Sequence, residues 1–308
     1  MFILFKHIEE LGYNNARVRL DRYTLERDES RIVKDPVFLE YRVGEVVQFN
    51  DFKKENPNLV WYCIEDNKKI IDFDQEQDRM MLAGKWNLGE IQKIVLALLV
   101  KEMQKQDMFL FHGSAVRYNG KNILFMTGEN NHGKTMTLIE SALRGAEIIA
   151  GEGLVINNEQ KVVTGSHDVF LRKRVKGTER ADIAESQTGW KIFFEHLPPQ
   201  FERVKGKIGR IDLIILPSID GNFDTKVTKL GQFESEYQTF SCLSQSYFLA
   251  HQILASGIPM PNIDTKELRL KRSAFCTDCF CKIPYYLIMA KNPQTLFDQV
   301  EVILKEKK

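Results

Sequence analysis

Eight consecutive residues, Gly128-Glu129-Asn130-Asn131-His132-Gly133-Lys134-Thr135, have types and spacing that can hold a polyphosphate. They fit the pattern G-x-x-x-x-G-K-[ST] at every constrained position. In such a loop the two glycines let the backbone curl so that successive N–H groups face one anion, and the dipole of the helix that follows favours negative charge there. The lysine places a cation against the β- and γ-phosphates, and the hydroxyl of the next residue is a ligand for magnesium. Lys134 and Thr135 take these two roles, with Glu129, Asn130, Asn131 and His132 as spacers. His132 reads as a solvent-facing loop residue or a further phosphate contact. The ligands implied are ATP, or another nucleoside triphosphate, and Mg2+.

The motif requires a strand before it and a helix after it, and the flanking sequence supplies both. Met108 to Tyr118 and Lys121 to Thr127 are two strand-like runs joined by Asn119-Gly120, a pair suited to the positive φ angles of a type I′ turn. The second run enters the loop directly. A helix from about Lys134 to Arg144 follows and stops at Gly145. Glu147 to Ala150 then reads as a strand leading into Gly151-Glu152-Gly153. Most phosphate-binding loops follow a parallel strand reached through a helical crossover. A tight hairpin here implies a mixed sheet with an antiparallel pair at the site.

Further out the pattern is looser. The first ~85 residues read as short strands, among them Val37-Phe38-Leu39 with Tyr41 and Val43. Asn87 and Glu90 form a capping box ahead of Ile91, Ile94, Val95, Leu98, Leu99 and Met103, an apolar helical face. Ile211 to Leu216 reads as a buried strand, Ser241 to Ala255 as a helix, Ile283 to Met289 as a strand and Pro293 to Leu304 as a closing helix. The expected organisation is a strand-rich N-terminal domain, 1–86, and a phosphate-binding domain, 87–308, with helix 87–107 as connector.

The order His112-Gly113-Ser114-Ala115-Val116, hairpin, Gly128–Thr135 loop, helix ending Arg144-Gly145, then Ile148-Ile149-Ala150-Gly151-Glu152 resembles the core of HPr kinase/phosphorylase-like proteins. That family shares its fold type with ATP-dependent phosphoenolpyruvate carboxykinases. The resemblance covers about residues 108–156. It implies an α/β (α+β) fold with a mixed sheet, and an ATP- and magnesium-dependent kinase that transfers the γ-phosphoryl group to a hydroxyl of a protein, peptide or small molecule. Such family members are often oligomeric rings, so a homo-oligomer is one expected state.

The resemblance also implies two aspartates after the next strand, one a metal ligand and one a general base. This chain has Gly151-Glu152 there. Glu152 is therefore the candidate base, or a magnesium ligand beside Thr135, or a turn residue. His112 matches the family histidine; it would contact a phosphate, orient the base, or be a satisfied core residue. A further family carboxylate has four candidates, Glu179, Asp182, Glu185 and Glu195, and the polar stretch Lys173–Gly189 reads as a substrate loop. With a single acid at the site, a nucleotide-binding regulatory or assembly module with degraded catalysis, or an ATP-dependent enzyme that is not a hydroxyl kinase, stands as the alternative.

Cys276-Thr277-Asp278-Cys279-Phe280-Cys281 is the other conspicuous cluster. Zinc would need a fourth ligand, and neither Cys242 nor His251 offers a pair at ligand spacing, so buried or partly exposed thiols are the default. The alternation of Cys279 and Cys281 suits a strand leading to Ile283. Five cysteines in 308 residues fit a reducing compartment, the cytoplasm. A hydrophobic fraction of 43%, a charged fraction of 28% and a formal net charge of +1 describe a globular chain with no overall pull toward nucleic acid or an anionic membrane. No apolar run is long enough to span a bilayer.

Overall fold

The computed structural model describes residues 3–34, 36–64, 68–127, 132–172, 189–193, 197, 201–248 and 258–306. In chain order the elements are β1 (Phe5–Tyr13), β2 (Ala16–Thr24), α1 (Val37–Val43), β3 (Val47–Phe49), β4 (Leu59–Cys63), β5 (Ile70–Asp74), β6 (Arg79–Ala83) and α2 (Leu88–Lys105). There follow β7 (Met108–Tyr118), β8 (Lys121–Met126), α3 (Lys134–Leu143), β9 (Glu147–Ala150), β10 (Gly153–Asn157), β11 (Val162–Gly165), β12 (Asp168–Arg172), β13 (Gly189–Phe193) and β14 (Leu213–Ile219). The chain closes with β15 (Lys226–Lys229), α4 (Gln232–Phe248), α5 (Lys266–Ala274), β16 (Tyr285–Ala290) and α6 (Pro293–Glu306). The class is mixed α and β, with two mixed sheets.

These elements form two compact units. One comprises Met1–Glu40, Glu45–Leu110 and Leu243–Ser273; the other comprises Tyr41–Gly44, Phe111–Cys242 and Ala274–Lys308. Helix α2 falls in the first unit because it packs on β2. The first unit is built on a six-stranded sheet of order β3-β1-β2-β4-β6-β5, in which β2–β4 and β4–β6 are parallel and the remaining pairs antiparallel. The α2 capping box forms as expected, with Glu90 N–H donating to Asn87 Oδ1 at 2.9 Å and Asn87 N–H donating to Glu90 Oε2 at 2.9 Å.

Val37–Val43, expected as a strand, is helical. Its apolar residues alternate, but Leu39 and Val43, both fully buried, are also four apart and share one helical face. The Glu40 N–H donates to the Pro36 carbonyl at 2.9 Å, and Gly44, at φ +86°, ends the turn in a conformation that an L side chain rarely adopts.

The second unit contains an eight-stranded sheet of order β11-β10-β7-β8-β14-β16-β15, with β9 also pairing β7. Strands β7 and β8 form the expected hairpin, in register from Gly113 opposite Met126 to Tyr118 opposite Lys121, and Asn119 (φ 50°) and Gly120 (φ 74°) make the left-handed turn. Strand β14 runs parallel to both β8 and β16, so the sheet is mixed at the hairpin. Helices α3 and α6 supply Leu138, Ala142, Leu296, Phe297 and Val300 to a core shared with Phe125, Ile215 and Ile288 of the sheet. That core fixes the start of α3 at the end of β8. Phe275–Cys279 is a π-helical turn and Phe280–Cys281-Lys282 a 3-10 turn, not the strand expected from the alternation of Cys279 and Cys281. Phe111, Phe275 and Phe280 stack there, with Phe111 and Phe280 centroids 4.7 Å apart, and this aromatic packing outweighs the short alternation.

Candidate functional site

The second unit brings Lys134, Thr135, His112 and Glu152 to one end of its sheet. Thr127 ends β8, and Lys134 and Thr135 open α3. Gly133 is the helix N-cap at φ +100°, and a Cβ there would lie 2.6 Å from the Ile219 side chain, so both conformation and space require glycine. The Ile219 N–H donates to the His132 carbonyl at 3.2 Å, tying the loop to the end of β14. No side chain caps α3 among the described residues. Its first-turn N–H groups are thus the kind that satisfy themselves on an anion. Gly128, Glu129, Asn130 and Asn131 lie outside the described residues, as do Glu179, Asp182, Glu185, Glu195 and nearly all of the expected substrate loop.

Lys134 is buried at 6% exposure, and its Nζ donates to Thr127 Oγ1 at 3.0 Å. Glu152 follows β9 and is buried at 7%. Its backbone is fixed from two sides: Glu152 N–H and Gly153 N–H both donate to the Ser166 hydroxyl, at 2.8 and 3.1 Å, and the Gly113 N–H donates to the Glu152 carbonyl at 3.1 Å. The neighbouring Ser114 hydroxyl donates to the Gly151 carbonyl at 2.6 Å. These bonds clamp the β9–β10 corner onto β7, and so His112, one residue before Gly113, meets Glu152.

His112 Nε2 lies 3.0 Å from Glu152 Oε1. Burial lowers the imidazole pKa to about 4, and the charges of Lys134 and Arg42 push the same way, outweighing the carboxylate. Burial pushes the Glu152 carboxyl up, but the hydrogen bond from His112 and the cations Arg42 and Lys134 outweigh it and hold the group at about 2. At neutral pH the pair is therefore a neutral imidazole and a carboxylate. An ionised carboxylate only accepts, so the proton is assigned to Nε2.

Both shifts make the unit acid-sensitive. The unfolded imidazole protonates near 6.5, the folded one only near 4; stability present above 6.5 is lost as pH falls through that window. Glu152 continues the loss from 4.5 toward 2. Thermal melts in a chelating buffer without nucleotide are expected to show a decline on the order of a few kcal/mol between pH 6.5 and 4. His112→Gln is expected to remove the upper part of that decline. A flat wild-type profile from 6.5 to 4 would contradict the buried neutral imidazole.

Arg42 was not marked by any motif. Its Nη1 lies 3.7 Å from Glu152 Oε1. It lies far from the loop in the linear chain, and the sole local hint was its place at the Tyr41-Arg42-Val43-Gly44 end of α1.

The cysteines are free thiols, and no group of three or more His, Cys, Asp or Glu side chains among the described residues is arranged to hold a metal. A magnesium ion brought by phosphates needs no such cage, because it keeps several waters and takes one or two protein ligands. Thr135, half-buried in the first turn of α3, and the ionised Glu152 fit that modest requirement. No helix among the described residues is long and apolar enough to cross a membrane. No family model matches the chain, and no curated protein matches it either.

Proposed function

We propose that this protein is an ATP- and magnesium-dependent kinase that moves the γ-phosphoryl group onto a hydroxyl of a protein, peptide or small molecule. The observation that carries the reading is the convergence of the loop lysine Lys134 with an ionised carboxylate, Glu152, that is itself oriented by His112. Lys134 and the first-turn N–H groups of α3 would hold the phosphates, and Thr135 with Glu152 would hold magnesium. When bound, the ion neutralises charge on the β- and γ-phosphates.

In the transfer step the acceptor oxygen forms a bond to the γ-phosphorus while the bond from that phosphorus to the β–γ bridging oxygen breaks, releasing ADP; the acceptor proton passes to Glu152. A carboxyl held near 2 is a weak base. Lys134 and Arg42 are part of what holds it there. Phosphate oxygens that pair with those cations relieve Glu152 of their pull, so its basicity rises once the nucleotide is in place.

A second reading, a nucleotide-binding module with degraded catalysis, is favoured by Gly151-Glu152 standing where the family resemblance implies two acids. Titration calorimetry with magnesium ATP and GTP, followed by label transfer from γ-labelled ATP to hydroxyl acceptors, separates the two. Micromolar uptake with acceptor-dependent transfer is the expected result. Uptake without transfer to any acceptor supports the module, and no uptake of either nucleotide overturns both readings.

A further inference from the structure

The sheet of the second unit ends at β15, Lys226-Val227-Thr228-Lys229, which pairs with β16 and, among the described residues, with no other strand. The hydrogen-bond pattern shows which backbone groups that pairing uses. Lys229 stands opposite Tyr286, and the next residue, Leu230, donates its N–H to the Tyr285 carbonyl at 3.0 Å. Bonded positions in an antiparallel ladder recur every second residue, so Thr228 and Lys226 also turn their backbone groups to β16. The N–H and C=O of Val227 and Lys229 point the other way, off the edge of the sheet.

An open row of this kind is a template for another strand. The side chains decide which strand it accepts. Lys226, Val227 and Lys229 are exposed, Val227 at 38%. Lys226 and Thr228 share a face with Tyr285, whose hydroxyl hydrogen-bonds Thr239 of α4, and Lys229 lies on the opposite face. A second copy fits this edge badly. Pairing β15 with itself, antiparallel about its centre, sets Lys226 opposite Lys229, and like charges directly opposite repel. Carboxylates at the same two positions would be attracted.

The apolar part of the surface comes from α4, which begins after Leu230 and Gly231. Ser235, Thr239 and Cys242 form its buried face, while Phe233 and Tyr237, one turn apart, are exposed at 76% and 62%. A surface helix ordinarily turns its aromatic residues inward. An exposed aromatic pair close to an open sheet edge is the kind of patch that marks a contact surface. Asp224 before the strand and Glu234 beside Phe233 bracket the two lysines. Acids on a partner are therefore matched only opposite the strand itself.

We propose that β15 and the start of α4 form a docking site for an extended acidic segment of another protein. The segment adds at the edge as a further strand and bonds to the backbone of Val227 and Lys229. It carries carboxylates three residues apart, one opposite Lys226 and one opposite Lys229, and an apolar residue past the second that meets Phe233 and Tyr237. The site does not rest on the kinase reading.

A display library of short random peptides, selected on the full chain, tests this. Enriched peptides are expected to carry Asp or Glu at positions three apart, with an apolar residue beyond the pair. The strongest binder is expected to lose roughly 10-fold or more in affinity for the double variant Lys226→Glu/Lys229→Glu and about 10-fold for Phe233→Ala. These side chains are exposed, so both variants should melt like wild type. N-methylation of the peptide amides that face β15 is expected to lower affinity about 10-fold, because each blocked amide forfeits a hydrogen bond. Selection without enrichment of an acidic pair overturns the proposal, as does equal binding to wild type and the double variant. A peptide that tolerates the N-methyl groups overturns it too, since charge alone would then hold it. A wild-type dimer that the double variant abolishes also overturns it, since a second copy would then occupy the edge.

Discussion

Lys134→Ala is expected to bind magnesium ATP roughly 100-fold more weakly than wild type and to transfer label about 1,000-fold more slowly. The ammonium is buried at 6% exposure, so water cannot substitute for it against the phosphates as it would at an open surface. The effect on folding should be small by comparison. Truncation leaves Thr127 Oγ1 without its 3.0 Å donor, but it also removes one of the two cations that face the His112–Glu152 pair. Lys134→Ala should therefore melt near wild type while failing to bind nucleotide. Calorimetry with magnesium ATP, beside a thermal melt of the same samples, reads both quantities. Undiminished uptake by a folded Lys134→Ala protein would remove the phosphate-binding role from the loop.

The parts of this architecture that were legible in the sequence are those whose signals are local. The Asn119-Gly120 turn, the Asn87/Glu90 capping box and the Gly145 stop each depend on a few adjacent residues, and each appears where expected, Gly145 at φ +87°. Signals shared by two structures misled. The alternating Val37, Leu39, Tyr41 and Val43 also place Leu39 and Val43 on one helical face, and burial of that face decided for the helix. The same ambiguity turned Cys279 and Cys281 from an expected strand into tight helical turns.

Unit membership was not legible at all. It depends on long-range returns of the chain: 243–273 joins the first unit and Tyr41–Gly44 joins the second. The site follows the same rule. Lys134 and Thr135 sit in one contiguous motif, and Glu152 and His112 came from a resemblance in spacing. The Arg42 backbone comes this close to the Glu152 corner only because Gly153 lacks a side chain, and a glycine far along the chain carries no marker of what will pack on it.

Glu152→Gln separates the roles left open for that residue, because they differ in sign for the nucleotide. The substitution keeps the volume and an oxygen to accept from His112 Nε2, which now lies at 3.0 Å. It removes the charge. As general base, Glu152 is worth roughly 100- to 10,000-fold in rate, so transfer should fall by about that much. ATP affinity without magnesium should rise, since a negative charge near the phosphates is gone and Arg42 and Lys134 are released from it. If Glu152 is only a magnesium ligand, the dependence of ATP binding on magnesium should weaken in the same variant, and the loss of rate should shrink as magnesium is raised. A turn residue with no chemical role would give neither result: Glu152→Gln would bind and transfer like wild type, and its only mark would be the loss of the acid-sensitive step between pH 4.5 and 2.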